Sequence, residues 1–458
     1  MAIKKMIGYF EGFPEITLLG FGKEGQSAYH FLRKHFPQKK ILVADINRKL
    51  KERLPDDMLN DSNLTFSLGR GYLNDLQESH LIIASPGIPI GQEMQLKWNI
   101  TNQTDLFLKF YGNQVIGVTG TKGKSTTSSL IHHILRQSGK NSRLIGNIGS
   151  PPFDHLENIR ENSLLVYEMS AHQLSGVRYS PHIAIVLNLF SEHLDHFSSL
   201  EAYFDAKIKI TRYQTKDDFL IFNKDDELLN RYLQPYLSKR QIFGFSMEGA
   251  AGQGIRFENG KIIYDSGQSL KSLYELHKVG LKGRHNILNI LAASCAARIK
   301  GIDEDKIREA VESFSGLEHR LEYAGCFRQI DFYNDSIATV PEATIAAIRS
   351  LENIDTLILG GFDRGLNYDA LKRELTGTTI RNLIYTGEAG KRMIEEFQEI
   401  LPHKGNYFFE NFVEAVQAAI KLTKAGSVCL LSPAAASYDQ FVNFEERGRL
   451  YKKMAETA

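Results

Sequence analysis

A glycine-rich stretch at residues 119–127 constrains the fold of this chain more than any other feature. It reads Thr-Gly-Thr-Lys-Gly-Lys-Ser-Thr-Thr. The largely apolar residues 114–118 before it predict a buried strand, and residues 125–137 after it predict a helix. A glycine-rich turn between a strand and a helix points backbone N–H groups and the helix N-terminus at one place, which suits an anion.

The side chains of this stretch add the chemistry that a bound nucleotide needs. Lys124 offers a positive charge to the β- and γ-phosphates, and Ser125 or Thr126 offers a hydroxyl to Mg²⁺. The spacing departs from the usual phosphate loop, because two residues separate Gly120 from Gly123 where four are typical. The flanking strand and helix nevertheless favour a phosphate loop over an ordinary turn with solvated lysines. The stretch therefore predicts ATP binding.

Length, charge and cysteine content exclude several classes of protein. The 458 residues suffice for about three domains of ordinary size. A net charge of +1 favours neither nucleic acid nor an anionic membrane, and no apolar run approaches the ~18 residues that span a bilayer. The N-terminus lacks the apolar core of a secretion signal, and Cys295, Cys326 and Cys429 predict buried free thiols without metal-site spacing. We expect a cytoplasmic monomer that binds no nucleic acid or membrane.

Strand-like runs alternate with helix-like runs along most of the chain. This alternation predicts an α/β fold with mainly parallel sheets. We divide the chain into residues 1–112, 113–316 and 317–458, although no Pro-, Gly- or Ser-rich linker marks the boundaries. Asn259-Gly260 in the middle region predicts a hairpin with a type I′ turn.

A second glycine-rich turn lies in the first region. Residues 20–25 read Gly-Phe-Gly-Lys-Glu-Gly and fit G-x-G-x-x-G between a predicted strand and a predicted helix. Asp45 ends the next predicted strand, where a carboxylate could bind a ribose hydroxyl. The same turn serves any diphosphate, so it fits a dinucleotide, a nucleotide-sugar or a tight turn formed for packing alone.

Polar residues follow the strands predicted in the middle region. Glu168 comes after the strand at 164–167, and His193 comes after the strand at 183–187. Because ligands gather at the carboxyl ends of parallel strands, this carboxylate and imidazole could hold Mg²⁺ on ATP. His193 alone fits a loop histidine equally well, and by pattern alone Lys207 is a solvated helix lysine.

Three small or polar loops follow predicted strands in the third region, at residues 334–336, 360–365 and 432–437. Each alone fits a plain turn, but together they suggest a ligand-facing rim. Arg364 in the second loop could bind a carboxylate in bidentate fashion, or could simply be exposed.

Taken in order, these motifs resemble those of the Mur ligases, the ATP-dependent amino-acid ligases of peptidoglycan synthesis. The resemblance covers nearly the whole chain, and its ordered set of motifs is specific although no single one is. The matching stretches are residues 120–127, 146–149, 168–174, 188–195, 206–207, 285–289, 319–320, 334–336 and 431–448. The resemblance implies a Rossmann-like UDP-substrate domain at 1–112, a central ATP-binding P-loop-type domain at 113–316, and a Rossmann-like domain at 317–458 for the incoming amino acid.

The resemblance also implies an activity, which is the joining of glutamate to UDP-N-acetylmuramoyl-L-alanine. The substrate carboxylate would attack the γ-phosphate of ATP and form an acyl phosphate, and the amine of glutamate would then displace phosphate. Magnesium and Lys124 would neutralise charge in the first step. Domain closure would exclude water, which hydrolyses acyl phosphates.

The resemblance implies a full set of residue roles. The catalytic residues would be Lys124, Glu168, His193 and Lys207. Residues that bind the UDP-substrate would be Gly20, Phe21, Gly22, Lys23, Asp45, Ser85, Pro86, Gly87, Asn147, Ser170 and Gln173. ATP would be bound by Gly120, Thr121, Lys122, Gly123, Lys124, Ser125, Thr126, Asn286, Asn289, Arg320 and Asp335. Two Mg²⁺ ions would be held by Ser125, Glu168, His193 and a carbamate on Lys207. The incoming amino acid would be bound by Thr339, Arg364, Ser437, Tyr438 and Phe444.

The chain departs from the family at two positions where a lysine is usual. These positions are Ile337, in Asn-Asp-Ser-Ile-Ala-Thr, and Val442, after Gln-Phe. Two cations are therefore missing around the region that would receive a dicarboxylic amino acid, and a desolvated partner of a carboxylate can matter by several kcal/mol. We keep D-glutamate as the first expectation. The alternative is L-glutamate, which is added by a branch of the family that is similar in having an uncharged residue at the position of Ile337.

Three other interpretations stay open. A folylpolyglutamate synthase-like ligase shares the phosphate loop and the later domains, but it lacks a preceding nucleotide-binding region of about a hundred residues. A nicotinamide-dependent oxidoreductase built on residues 20–25 leaves the phosphate loop unexplained. A nucleotide-sensing protein without turnover has no need of Glu168, His193 and Lys207 as metal support.

Overall fold

Three β-sheets organise the part of the chain that the structure describes. The computed structural model describes residues 2–78, 80–190, 197, 199–249, 252–276, 281, 283–398, 401 and 403–458. These fall into two compact units, one formed by the described residues of 1–278 and 284–312 and the other by those of 279–283 and 313–458. The first unit contains two of the sheets, and the second unit contains the third.

The first sheet has five parallel strands in the order β3-β2-β1-β4-β5. The strands are β1 (Glu15–Leu19), β2 (Lys40–Asp45), β3 (Leu64–Leu68), β4 (Leu81–Ala84) and β5 (Asn99–Asn102). The helices are α1 (Ala2–Glu11), α2 (Lys23–His35), α3 (Asp56–Leu59), α4 (Gln92–Lys97) and α5 (Gln103–Tyr111). The central strands read as continuous apolar runs because they are buried on both faces of the sheet. This strand order is that of a Rossmann-like domain.

The second sheet has nine strands in the order β14-β13-β12-β11-β10-β9-β6-β8-β7. The strands are β6 (Val115–Thr119), β7 (Ser142–Gly146), β8 (Leu164–Glu168), β9 (Ile183–Val186), β10 (Phe219–Asn223), β11 (Gln241–Ser246), β12 (Gln253–Glu258), β13 (Lys261–Ser266) and β14 (Leu270–Glu275). The helices are α6 (Lys124–Gln137), α7 (Ala171–Ser175), α8 (Leu200–Arg212), α9 (Glu227–Leu233), α10 (Arg284–Ile299) and α11 (Glu304–Ser313). The strands are parallel except at the β12–β13–β14 edge.

The third sheet has six strands in the order β15-β16-β20-β17-β18-β19. The strands are β15 (Glu322–Phe327), β16 (Ile330–Asn334), β17 (Ile354–Gly360), β18 (Asn382–Thr386), β19 (Gly405–Phe409) and β20 (Val428–Leu431). The helices are α12 (Pro341–Ser350), α13 (Asp369–Thr376), α14 (Gly387–Phe397), α15 (Phe412–Leu422) and α16 (Phe444–Glu456). Among the described strands of this sheet, only β15 runs antiparallel to its neighbour. The predicted α/β class with mainly parallel sheets is confirmed.

Two local predictions have clear outcomes. The β12–β13 hairpin turns at Asn259 (φ +51°) and Gly260 (φ +78°), which confirms the type I′ prediction. The prediction of three buried thiols is wrong for Cys326, which is exposed on the edge strand β15, whereas Cys295 and Cys429 are buried. None of the helices in the described ranges combines the length and the apolarity needed to cross a membrane.

Candidate active site

The predicted phosphate loop lies between β6 and α6, at the carboxyl end of a central strand. Gly120 and Gly123 have φ angles of +150° and +85°, a region that favours glycine. A Cβ on Gly123 would lie 2.4 Å from Oδ1 of Asn289, and a Cβ on Gly120 would lie 2.9 Å from Cβ of Leu187. A larger residue at Gly120 or Gly123 would therefore have to displace the neighbouring side chain of Leu187 or Asn289.

Two side chains hold the loop in shape. The Nζ atom of Lys124 donates to the carbonyl oxygens of Gly120 and Thr121, both at 2.9 Å. Asn188, just after β9, accepts from the backbone N–H of Lys122 at 2.8 Å and donates to its carbonyl at 3.0 Å. No sequence pattern assigned a role to Asn188, because these contacts join residues 66 positions apart.

Glu168 ends β8, which pairs directly with β6, and its side chain is only 1% exposed. The amide nitrogen of Asn147 donates to Oε1 of Glu168 at 2.8 Å, so Asn147, predicted to contact the UDP-substrate, fixes this carboxylate. No described residue bonds to the buried Oε2 atom. A buried carboxylate oxygen without a partner is costly unless a cation pairs with it. Glu168 therefore fits the predicted Mg²⁺.

Of the other predicted metal ligands, Ser125 and Lys207 lie within the described residues and His193 does not. Ser125 lies in the first turn of α6. Within the described ranges, no group of three or more His, Cys, Asp or Glu side chains could hold a metal. Lys207 on α8 is 1% exposed, and its Nζ atom donates to the carbonyl of Gly120 at 2.9 Å. The pattern-based expectation of a solvated lysine is therefore wrong.

The start of α10 lies against the phosphate loop. The hydroxyl of Thr127 donates to Oδ1 of Asn289 at 3.1 Å, and the amide nitrogen of Asn289 donates to Oδ1 of Asn286 at 3.0 Å. The structure thus brings both asparagines of the predicted nucleotide site next to the loop. Burial lowers the pKa of the neighbouring His285.

We expect Gly123→Ala to damage ATP binding more than Gly139→Ala does. Both glycines flank α6 with similar positive φ angles (+85° and +77°), so alanine adds backbone strain of about 1 kcal/mol at either position. A Cβ on Gly139 meets open space, whereas one on Gly123 meets Asn289. Only Gly123→Ala should therefore raise the KM for ATP, by about tenfold or more. Steady-state kinetics with thermal unfolding checks this, and equal KM values for the two variants would contradict it.

In the first sheet, the carboxyl ends of β1, β2 and β4 converge on the second glycine-rich turn. The Ser85 hydroxyl donates to the carbonyl of Gly20 at 2.9 Å, and the Phe21 N–H donates to Asp45 at 2.9 Å. Gly20 has a φ of +84°, and a Cβ there would lie 2.9 Å from Cβ of Ser85. Gly22 is the N-cap of α2. Lys23 is the first residue of α2, and Pro86 and Gly87 lie in the turn after β4.

Gln173 connects this turn to the second sheet. It forms a capping box with Ser170 at the start of α7, two residues after Glu168. Its amide nitrogen also donates to Oε1 of Glu24 at 2.7 Å, and Glu24 belongs to the glycine-rich turn of the first sheet. Burial raises the pKa of Glu24. Two predicted UDP-substrate residues, Ser170 and Gln173, thus lie between the two sheets of the first unit.

In the second unit, the loops after β16, β17 and β20 carry the remaining predicted residues. The Arg364 guanidinium donates to the carbonyl of Thr339 at 2.5 Å, and the Ser336 hydroxyl donates to the carbonyl of Phe444 at 2.8 Å. Ser437 is 1% exposed and Tyr438 is 67% exposed. The structure therefore pairs Thr339 with Arg364 and places Phe444 against the loop after β16.

Asp335 is buried in the second unit. It accepts from the Ser432 hydroxyl at 2.7 Å and from the N–H of Leu321 at 3.0 Å. Burial raises the pKa of Asp335 to about 7, although these hydrogen bonds and the charge of Arg320 oppose the shift. Arg320 itself is exposed.

The raised pKa of Asp335 predicts a pH-dependent stability. The folded-state pKa lies above the ordinary value, so the bound proton stabilises the fold at low pH and this contribution is lost as the pH rises toward 7. Relative to Asp335→Asn, the wild type should lose about 3 kcal/mol of unfolding free energy between about pH 5 and pH 8. Urea unfolding checks this, with the exposed Asp305→Asn as control. A pH-independent difference between Asp335→Asn and wild type would contradict it.

Comparison with known proteins identifies the family. The model of the Mur ligase middle domain matches residues 118–297, and the model of the Mur ligase glutamate ligase domain matches residues 319–435. UDP-N-acetylmuramoylalanine–D-glutamate ligase of Clostridium kluyveri is 34% identical over 421 residues, covering 90% of this chain and 88% of the relative. The same-named protein of Clostridioides difficile is 32% identical over 446 residues, covering 96% and 97%.

Solved structures show the same fold. UDP-N-acetylmuramate-alanine ligase MurC of Thermotoga maritima matches with a TM-score of 0.57 at 19% identity, covering 97% of this chain and 99% of that one. MurF ligase of Thermotoga maritima, solved in complex with ADP, matches with a TM-score of 0.55 at 18% identity, covering 97% and 95%. The motifs, the fold and the two domain matches agree, and this chain belongs to the Mur ligase family, which carries out ATP-dependent ligation in peptidoglycan precursor synthesis.

Proposed function

We propose that this chain joins D-glutamate to UDP-N-acetylmuramoyl-L-alanine in an ATP-dependent reaction. The names of its relatives support this substrate pair. The observation that carries the chemistry is Glu168, a buried carboxylate with an open oxygen on the strand beside the phosphate loop. Such a group suits a cation held against a triphosphate.

The phosphate loop and its neighbours are proposed to bind ATP. Backbone N–H groups of the loop and the charge of Lys124 would stabilise the phosphates, with Asn286 and Asn289 beside them. Arg320 and Asp335 complete the set of residues proposed to bind ATP. Bound Mg²⁺ would supply charge neutralisation during phosphoryl transfer.

Ser125, Glu168, His193 and Lys207 are proposed to hold the magnesium ions. Lys207 would act as a carbamate, in which a cation becomes an anion. Its burial beside the carbonyl of Gly120 supports the proposal, because it places the Lys207 nitrogen directly against the loop that would bind ATP and magnesium.

The substrates are proposed to bind at the carboxyl ends of the strands in the first and third sheets. The turn at residues 20–25, with Asp45 and residues 85–87, would bind the UDP part, and Asn147, Ser170 and Gln173 would border it. Thr339, Arg364, Ser437, Tyr438 and Phe444 would bind glutamate. Residues 1–112, 113–316 and 317–458 are the proposed functional domains. The activated substrate would be an acyl phosphate, from which the amine of glutamate displaces phosphate.

L-glutamate is the second candidate substrate, and Ile337 favours it. Val442 is 80% exposed, so a missing charge at that position has little effect on a bound ligand. Ile337 is half-buried in the loop after β16, where its N–H donates to the carbonyl of His319. A charge missing from that loop alters the proposed amino-acid site more strongly.

A single assay distinguishes the candidates. Phosphate release from ATP is measured with UDP-N-acetylmuramoyl-L-alanine and either D- or L-glutamate. A reaction without glutamate is the control. We expect release with D-glutamate. Release with L-glutamate alone would identify L-glutamate as the substrate. Release with neither enantiomer would refute glutamate ligation.

A further inference from the structure

In the second unit, a buried arginine contacts the loops that follow β16, β17 and β20, which form the predicted ligand-facing rim. Arg447 is in the first turn of α16 and is 1% exposed. Its Nε atom donates to the Ser336 hydroxyl at 3.0 Å, and Nη2 donates to the carbonyls of Ser336 (2.9 Å) and Ala435 (3.1 Å). Its Nη1 atom donates to the carbonyls of Ala436 (3.2 Å) and Gly360 (3.4 Å). These contacts use the whole donor set of a guanidinium.

The partners of Arg447 belong to three different loops. Ser336 follows β16, Gly360 ends β17, and Ala435 and Ala436 follow β20. These three strands are adjacent and parallel, so their carboxyl ends lie at one edge of the sheet. One guanidinium therefore joins the loops that carry Thr339, Arg364 and Ser437.

The backbone at Gly361 packs closely against Arg447 and its partner loop. Gly361 has a φ of +139°, and a Cβ there would lie 2.1 Å from the carbonyl of Ala436 and 2.9 Å from Nη1 of Arg447. Burial lowers the pKa of Arg447 to about 10, against the opposing charge of Asp439, so the group stays charged at neutral pH.

Stability alone is a poor explanation for this residue. A buried charge is costly, and an apolar side chain of similar volume is often neutral or stabilising in its place. An apolar side chain would not hydrogen-bond to three loops, however. The benefit of the arginine is therefore the fixed geometry of the loops that it joins.

We infer that Arg447 is a positioning residue for the incoming amino acid, which holds the loops after β16, β17 and β20 in the arrangement that binds it. This inference rests on the proposed function, because it takes glutamate as the ligand of that rim. Arg447 acts through the loop backbones. It lies in the family-matching stretch 431–448, but the sequence assigned it no role. Its contacts with Ser336 span 111 positions of the chain.

The test compares Arg447→Met, Arg447→Lys and the control Arg449→Met, which changes an exposed arginine on the same helix. For each folded variant, ADP release yields separate KM values for glutamate and for UDP-N-acetylmuramoyl-L-alanine, and circular dichroism monitors the fold. Arg447→Met should raise the KM for glutamate by about tenfold or more and leave the KM for the UDP-substrate unchanged. Arg447→Lys should restore part of the loss, because lysine retains three donors.

An unchanged KM for glutamate in folded Arg447→Met, or equal rises in both KM values, would overturn the inference. If Arg447→Met does not fold, Arg447→Lys decides by the same comparison of the two KM values. A wild type that ligates neither enantiomer would refute the proposed function and this inference with it. An active wild type with an unaltered Arg447 variant would refute the inference alone.

Discussion

Lys124→Ala is expected to lower kcat for ligation by about 10²–10³-fold while the protein stays folded. The Nζ atom lies over the phosphate loop, bonded to the carbonyls of Gly120 and Thr121 at 2.9 Å. A fixed cation there would stabilise the charge that develops as the γ-phosphate is transferred, and it requires no reorganisation of solvent. Alanine removes this charge and the two hydrogen bonds to the loop carbonyls, and it keeps a good helix former at the start of α6.

The measurement is single-turnover ADP formation at saturating ATP, which separates the chemical step from nucleotide binding. Lys140→Ala is the matched control, because Lys140 is an exposed lysine just beyond the other end of α6. Lys140→Ala should leave kcat unchanged. A Lys124→Ala enzyme with wild-type kcat would remove Lys124 from the proposed mechanism.

Lys207→Ala is expected to abolish ligation, and Lys207→Met should do the same. The side chain is 1% exposed, and its nitrogen donates to the carbonyl of Gly120. Alanine leaves a cavity as well as removing the nitrogen, and the lost hydrogen bond alone costs about 1–3 kcal/mol of unfolding free energy. Methionine fills most of the volume, so it isolates the loss of the nitrogen from the loss of packing.

The carbamate on Lys207 can also be detected directly, without an activity assay. Wild-type protein equilibrated with ¹³C-bicarbonate should show a carbamate carbon in its ¹³C NMR spectrum, and both variants should lack that signal. Thermal unfolding of the variants checks that they are folded. An active Lys207→Ala enzyme, or a carbamate signal that persists in Lys207→Met, would refute the assigned role.

Local sequence was sufficient wherever a feature is contiguous. The strand, glycine turn and helix at residues 114–137 are predicted correctly because their hydrophobic periods and glycines lie in one short segment. The same holds for the Asn259-Gly260 turn, since its conformation depends on two residues with positive φ. Glu168 and Asn334, the polar residues that end β8 and β16, could likewise be placed at strand ends from the pattern alone.

Contacts between segments that are far apart in the sequence could not be predicted from any local pattern. A helical lysine pattern predicts solvent for Lys207, and only packing of α8 against the phosphate loop buries it. Asn188 and Arg447 each bind backbone groups whose position depends on another strand, so no spacing rule predicts their roles. Glu24 appeared only as a variable position of a glycine motif, although it pairs with Gln173 at a separation of 149 residues.

The chain's order of apolar runs, glycine turns and polar strand ends therefore determined the α/β class, the phosphate loop and the family motifs. Each of these depends on short-range backbone preference and on which faces of a segment are apolar. The tertiary structure decided that Oε2 of Glu168 has no hydrogen-bond partner among the described residues, that Lys207 is buried, and that Arg447 joins three loops. Those outcomes depend on desolvation and on hydrogen bonds between strands that are adjacent in space and far apart in the sequence.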